Sequence, residues 1–285
     1  MHSLDEFHEN GYVHVRGALA PELVEALLKG IDALPEERWK SVYAADEDID
    51  QSNFRGRHAR IFNAVSVLPP LAEAIDHSSV LPTLVDVVGE NLQVLGSELF
   101  IRDSGETPLE PFHTDGGRFM RAVQLAPASA ELQVKIQFFL TDVDQPDSGN
   151  FLIIPGSHRR KPKGVGRYGV IQETKDALRT AEYPEGTQQV LAKAGDAVIF
   201  SCGLWHAVAP NHSGRTRKSA IVRYGPLWSR PVDYVTQSPK VLDRMTERQR
   251  RLFGDLGEDP SFWEYYEPTG QTEILGLRGR TEARA

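Results

Sequence analysis

The chain has 285 residues, of which 40% are hydrophobic and 25% charged, with a formal net charge of -8. This suits a soluble globular protein with one large core or two small ones. It argues against nucleic acid or an anionic membrane as a partner, since both call for a basic surface. No apolar run approaches the ~20 residues that span a bilayer. The single cysteine, Cys202, excludes an intramolecular disulfide framework, and the N-terminus "MHSLDEFHEN" lacks a signal-peptide pattern. The expectation is a cytoplasmic protein, monomer or homodimer.

In chain order, Ser3 is placed to cap a short helix that Gly11 ends, and "YVHVRG" alternates as a strand. "APELVEALLKGIDAL" predicts a helix with Pro21 in its first turn and Leu23, Ala26, Leu27 and Ile31 on its apolar face. Arg55, Arg57 and Arg60 in "NFRGRHARIF" fall in a polar loop able to close as a lid. Residues 70–89 are again helical, interrupted around "HSSVLP". From residue 92 the texture changes to short β-rich runs: "LQVLGSELFIRD", "LQVKIQFFLTDV", "NFLIIPGSH", "QQVLAKAGDAVIFS" and "RKSAIVRYG". With no regular helices between them, they predict an antiparallel sandwich or barrel rather than a parallel α/β sheet. Residues 238–255 read as one charged helix capped by Ser238, and the polar tail after Gly270 as mobile. One domain, 1–285, is expected.

The chemistry concentrates in "PFHTDGGRF". On an extended segment His113 and Asp115 share one face, and both residue types suit a borderline divalent metal. Taken alone, H-x-D reads as a solvated turn. A third ligand is offered by His206 in "GLWHAV". Two histidines and a carboxylate form the facial set that leaves catalytic metal positions open, whereas a structural site is closed by four ligands. His212 lies in the loop "APNHSG", while His8, His14, His58 and His77 precede the β region and read as structural or exposed. In "GRTRKSAIVRYG", Arg215, Arg217, Ser219, Ile221 and Arg223 share one parity. An arginine facing a barrel interior calls for an anion, and a guanidinium grips a carboxylate bidentately. Gln137 shares parity with Lys135 and Phe139 on a strand that crosses the barrel, so it can hydrogen-bond a bound acid or substrate. Phe112 and Trp205 flank ligands, and Arg102, Arg118 and Arg121 surround the H-x-D segment. Of these, Phe112, Arg102, Arg118 and Trp205 are candidates for a substrate pocket.

The order "FHTD", "SGNFLIIPGSH", "GLWHAVAPNHSGRTRKS", with "FHENGYVHVRGAL" at the front, resembles the phytanoyl-CoA dioxygenase family of iron(II)/2-oxoglutarate-dependent oxygenases. The resemblance runs from about residue 5 to about 228. It implies a mainly β fold, a double-stranded β-helix (jelly roll, cupin-like) over about 91–228, with helical support over about 1–90 and a helix and tail over about 229–285. It implies His113, Asp115 and His206 as iron ligands and Arg217, with Ser219 beside it, as the anchor for the far carboxylate of 2-oxoglutarate. "PGSH" is a family turn, so His158 is not counted as a ligand. The implied cofactors are Fe(II), 2-oxoglutarate as cosubstrate, and O2. The implied reaction is decarboxylation to succinate and CO2, coupled to oxidation of an unactivated C–H bond. Asp115 favours hydroxylation over halogenation, because related halogenases carry a small residue there. The family spans acyl-CoA, amino-acid-like, phosphonate and natural-product substrates. A short chain without a large insertion favours a modest metabolite or biosynthetic intermediate. Alternatives of other classes are a cupin-like enzyme that needs no cosubstrate and a non-catalytic 2-oxoglutarate sensor.

Overall fold

The structure is a computed structural model that describes residues 3–41, 57–105, 110–115, 131–166, 169–175, 182–257 and 259–277. Its centre is a seven-stranded antiparallel sheet facing a three-stranded one. The strands are β1 (Tyr12–Val15), β2 (Lys40–Ser41), β3 (His58–Phe62), β4 (Leu92–Arg102), β5 (Val134–Phe139), β6 (Phe151–Ile153), β7 (Gln188–Gln189), β8 (Ala197–Ser201), β9 (His206–Val208) and β10 (Arg217–Pro226). The large sheet runs β1-β8-β5-β10-β4-β3-β2 and the small one β7-β6-β9. Two antiparallel sheets between which the chain passes repeatedly, from β5 to β6, β7 to β8, β8 to β9 and β9 to β10, form the jelly roll.

Period-2 patterning decides what each face of the large sheet carries. Ala220, Val222 and Tyr224 of β10, Val134, Ile136 and Phe138 of β5, and Ala197 and Ile199 of β8 join the main apolar core with the helices. The alternate residues point into the space between the sheets. On β10 these are Arg217, Ser219, Ile221 and Arg223, and on β5 Lys135, Gln137 and Phe139. Phe139, Phe151, Ile153, Val198, Phe200 and Leu204 close part of that space as a second apolar cluster.

The helices α1 (Ser3–Asn10), α2 (Pro21–Asp32), α3 (Leu71–Ile75) and α4 (Leu81–Val88) cover the outer face. Gly11, at φ 82, reverses the chain after α1, as expected. Ser3 is the first helical residue rather than a preceding cap. Pro21 opens α2, but its buried face is Val24, Leu27 and Ile31; Ala26 is exposed, so the apolar stripe is phased through Val24 instead.

Three expectations are corrected. The segment around Arg57 and Arg60 is not wholly a loop: His58–Phe62 is strand β3, paired with β4, while Arg55 lies outside the described residues. The front of the chain therefore supplies three strands to the large sheet besides helical support. Residues 238–255 hold two short helices, α5 (Pro239–Leu242) and α6 (Glu247–Leu252). Thr246 starts the second with a capping box to Gln249, whereas the Ser238 side chain makes no capping bond. Past Gly270, α7 (Gln271–Ile274) leads to Leu275 and Leu277, which are buried in the main core.

Candidate functional site

His113 and His206 meet as a two-way backbone pair: His113 N–H donates to the His206 carbonyl at 2.9 Å, and His206 N–H returns the bond at 3.0 Å. This places their rings 4.3 Å apart, centroid to centroid. Two residues on, Asp115 N–H donates to the Cys202 carbonyl at 2.9 Å, so the segment is pinned at both ends. Gly169 backs its middle. It sits at φ +83, and a Cβ there would come within 2.0 Å of the Thr114 carbonyl oxygen, so only glycine lets the two segments touch. One ligand atom from each of His113, Asp115 and His206 lies within 4.8 Å of the others, and this is the one such group among the described residues.

The side chains offer free ligand atoms to one point. Nδ1 of His113 lies 2.9 Å from the Pro111 carbonyl, and Nδ1 of His206 lies 2.8 Å from the Leu204 carbonyl. A carbonyl can only accept, so each Nδ1 carries the proton and each Nε2 keeps its lone pair. Burial, with His113 close by, pushes His206 down to about 3 against the opposing pull of Asp115, so the ring is neutral at physiological pH. Burial resists ionisation of Asp115, but the Lys135 ammonium, with Arg223 behind it, holds its carboxyl well below the usual range. Lys135 Nζ donates to Asp115 Oδ1 at 2.7 Å. Asp115 Oδ2 lies 3.6 Å from His206 Nε2 and is buried without a hydrogen-bond partner.

Toward the other end of β10, Arg217 is 3% exposed and forms no ion pair among the described residues. Burial and the neighbouring Arg102 push it down to about 10, with Glu110 pulling the other way. Its Nε, the Ser219 hydroxyl and the Gln137 Nε2 are all buried without a hydrogen-bond partner. Orphaned donors of this kind are rare in a native interior and mark a place for an absent acceptor. Gly149, at φ +74, packs against Arg217: a Cβ there would lie 3.1 Å from Arg217 Cδ.

A cavity of about 380 Å³ joins these parts. His113, Asp115, His206, Gln137 and Arg217 line it, as do Lys135, Arg223, Glu98, Arg60 and His58. Ser219, fully buried, shares the inward face of β10. Arg102 is not among the lining residues; it pairs with Arg217 across the β10–β4 ladder and donates at 2.7 Å to Glu110, which does line the cavity. Phe112 and Trp205 point the other way, into an apolar cluster with Leu152, Ile154 and Ile171. Each is next in sequence to a candidate ligand, and alternation turns it to the opposite face. Arg118, Arg121, Gly116 and Gly117 lie outside the described residues. His158 bonds the His8 carbonyl at 3.2 Å and ties the "PGSH" turn to α1.

Sequence reasoning passed over several lining residues. His58 is buried beside Arg102 and Glu110, 3.1 Å from each. Burial and the charges of Arg102, Arg217 and Arg60 hold it well below its ordinary value. It is therefore a neutral ring that accepts from Arg102 and donates to Glu110. Nothing local in "GRHARIF" signals this, since it depends on β3 pairing with β4. Lys135 did leave a signal: a lysine sharing parity with Gln137 inside the apolar run "VKIQFFL".

The family model for phytanoyl-CoA dioxygenase (PhyH) matches residues 7–219. Among curated proteins, the chain is 24% identical over 179 residues to the dioxygenase cdmA of Talaromyces verruculosus, covering 62% of this chain and 55% of that protein. It is 20% identical over 293 residues to the dioxygenase trt7 of Aspergillus terreus, covering 95% of this chain and 91% of that one. The match thus spans about half the length of cdmA. Among solved structures, HygX from Streptomyces hygroscopicus with nickel, 2-oxoglutarate and hygromycin B bound aligns with a TM-score of 0.61 at 18% identity, covering 80% of this chain and 88% of HygX. The α-ketoglutarate-dependent carbocyclase SnoK from nogalamycin biosynthesis aligns with a TM-score of 0.62 at 21% identity, covering 86% and 90%. These likenesses carry the fold, the jelly roll. From the match of the family model across both sheets, the chain belongs to the phytanoyl-CoA dioxygenase family of iron- and 2-oxoglutarate-dependent oxygenases.

Proposed function

We propose that this protein is an iron(II)/2-oxoglutarate-dependent oxygenase that hydroxylates an unactivated C–H bond of a small metabolite or biosynthetic intermediate, releasing succinate and CO2. The observation that carries the reading is the coincidence, in one cavity, of two unmet needs. Three ligand atoms converge without a partner for Asp115 Oδ2, and three buried donors, on Arg217, Ser219 and Gln137, lack an acceptor. The donor set fits both groups: two neutral imidazoles and a carboxylate suit iron(II) with positions left open, and a buried guanidinium with a hydroxyl and an amide suits a carboxylate.

In this reading His113 and His206 hold the metal through Nε2 and Asp115 through Oδ2, while Arg217, Ser219 and Gln137 fix the far carboxylate of 2-oxoglutarate. Iron(II) with bound 2-oxoglutarate and O2 supplies an oxidant strong enough to take a hydrogen atom from an unactivated C–H bond. The chain's own residues orient the cosubstrate and keep water out. Phe151, Phe200 and Val208 give the metal end an apolar wall, and Ile221 and Phe100 line the large sheet. Asp115 occupies the position that a halogenase leaves to a small residue, which favours oxygen transfer over halogen transfer. A cupin-like enzyme without a cosubstrate has no use for a buried Arg217 lacking a carboxylate.

The test is succinate formation from 2-oxoglutarate by the iron(II)-loaded protein under air, screened over small metabolites, with His113→Ala and Asp115→Ala as controls. Substrate-stimulated succinate release with a product heavier by one oxygen atom supports the reading. A protein that binds neither iron(II) nor 2-oxoglutarate overturns it.

A further inference from the structure

The lysine beside the candidate ligand set is unusual for its placement. Lys135 is 7% exposed, and β5 carries it on the inward face, opposite Arg223 of β10 and Phe200 of β8. Its ammonium takes one oxygen of Asp115, Oδ1, at 2.7 Å. The other oxygen, Oδ2, is the one that faces His206 Nε2 at 3.6 Å and has no hydrogen bond. The two oxygens of one carboxylate are thus assigned different work by a neighbouring strand.

We propose that Lys135 is a positioning residue that restricts Asp115 to one-point attachment through Oδ2. This inference rests on the oxygenase reading. A carboxylate with both oxygens free can chelate a cation and cover a second coordination position, and here that position is needed for the cosubstrate. Lys135 blocks this by occupying Oδ1. It also lowers the negative charge that Asp115 presents and repels a nearby divalent ion, an effect that is strong in a buried site. Partners behind a metal ligand fix its orientation and tune the metal in this way. The consequence is a trade: weaker attachment of the bare metal, and a fully open face for 2-oxoglutarate.

The trade has a sign that a packing role does not share. In Lys135→Met, which keeps the length of the side chain and removes the charge, Co(II) used as a probe without 2-oxoglutarate binds about tenfold tighter. The same cobalt-loaded variant binds 2-oxoglutarate about tenfold more weakly. Lys135→Arg, which keeps a cation on Oδ1, stays near wild type in both. A Lys135→Met protein whose Co(II) affinity is unchanged or weaker overturns the proposal. Should that variant not fold, a crystal structure of the wild-type protein with Co(II) decides: Asp115 attached through Oδ2 alone, with Lys135 on Oδ1, supports it, and attachment through both oxygens overturns it. Wild-type protein that binds no Co(II) removes the oxygenase reading itself, and is told apart from these outcomes because wild type is measured first.

Discussion

Arg217 and Arg102 lie side by side across the β10–β4 ladder, both almost fully buried, and among the described residues the Glu110 carboxylate bonds the second and not the first. Among the described residues Arg217 has no carboxylate partner of its own, so this buried guanidinium makes a site short of an anion. In the proposed function 2-oxoglutarate completes it. Arg217→Lys keeps the charge but loses the planar fork, and the KM for 2-oxoglutarate is expected to rise about tenfold or more, the scale of one charge-assisted bond. Succinate release as a function of 2-oxoglutarate concentration measures it.

Glu110→Gln tests the same imbalance from the other side. Removing the carboxylate takes a buried partner from Arg102 and from His58, so the ligand-free protein is expected to melt at lower temperature, with a loss on the order of 1–3 kcal/mol. Added 2-oxoglutarate then raises its Tm by more than it raises that of wild type. An equal rise in the two proteins argues that Glu110 does not set the charge of the cavity.

Gly149→Ala reaches the site through the backbone. The position holds φ +74, and the new Cβ would press to 3.1 Å on Arg217 Cδ. Backbone strain of about 1 kcal/mol lowers Tm, and displacement of the guanidinium raises the KM for 2-oxoglutarate. Co(II) affinity, which depends on the far end of the cavity, stays as in wild type. A parallel loss of Co(II) binding would show that the variant damages the fold rather than the anchor.

In the proposed function Asp115→Ala removes a metal ligand, and it also strands Lys135 as a buried, unpaired cation. Metal binding is lost, and the metal-free protein is destabilised by about 3 kcal/mol, the usual result of deleting one partner of a buried pair. Adding Lys135→Met to Asp115→Ala is expected to restore most of that stability but none of the metal binding. Denaturant unfolding of the four metal-free proteins in this cycle reports the coupling.

Asp196 gives the fold a pH dependence away from the cavity. Its carboxylate accepts from Gly17 N–H at 2.8 Å and Lys193 N–H at 3.0 Å, and lies 3.2 Å from His14 Nε2. Burial opposes ionisation, but these hydrogen bonds prevail and lower the pKa below its ordinary value. A depressed folded-state pKa means that the stabilisation is complete above the unfolded value, about 3.9, and is lost as pH falls through the lower folded value. The stability gap between wild type and Asp196→Ala is therefore constant near neutrality and shrinks below about pH 4. Urea midpoints across that range measure the gap; one that widens in acid contradicts the assignment.

How far these relationships can be read from sequence depends on whether they are periodic. The inward set Arg217, Ser219, Ile221 and Arg223 is legible because a strand alternates strictly, and the same rule brings His113 and Asp115 to one face. That His206 lies opposite His113 comes from family order, not from any local pattern. The alternation that brings the candidate ligands together also turns Phe112 and Trp205 away from the cavity, a step easily lost when adjacency is read as proximity. His58 and Glu110 are invisible locally because a pairing of β3 with β4 brings them together. The single helix read over 238–255 fails at Thr246, whose capping signal with Gln249 competes with the charge pattern around it. The polar tail past Gly270 hides two leucines that reach the core.

Strand β10 interleaves two populations of side chains, one buried against helices and one facing the cavity. A scan of single substitutions along it would consequently be read out by two different instruments in alternation. Changes at Ala220, Val222 and Tyr224 would register in a calorimeter, and changes at Arg217, Ser219, Ile221 and Arg223 in an assay. To retune the chemistry while sparing the scaffold, one would walk this strand in steps of two.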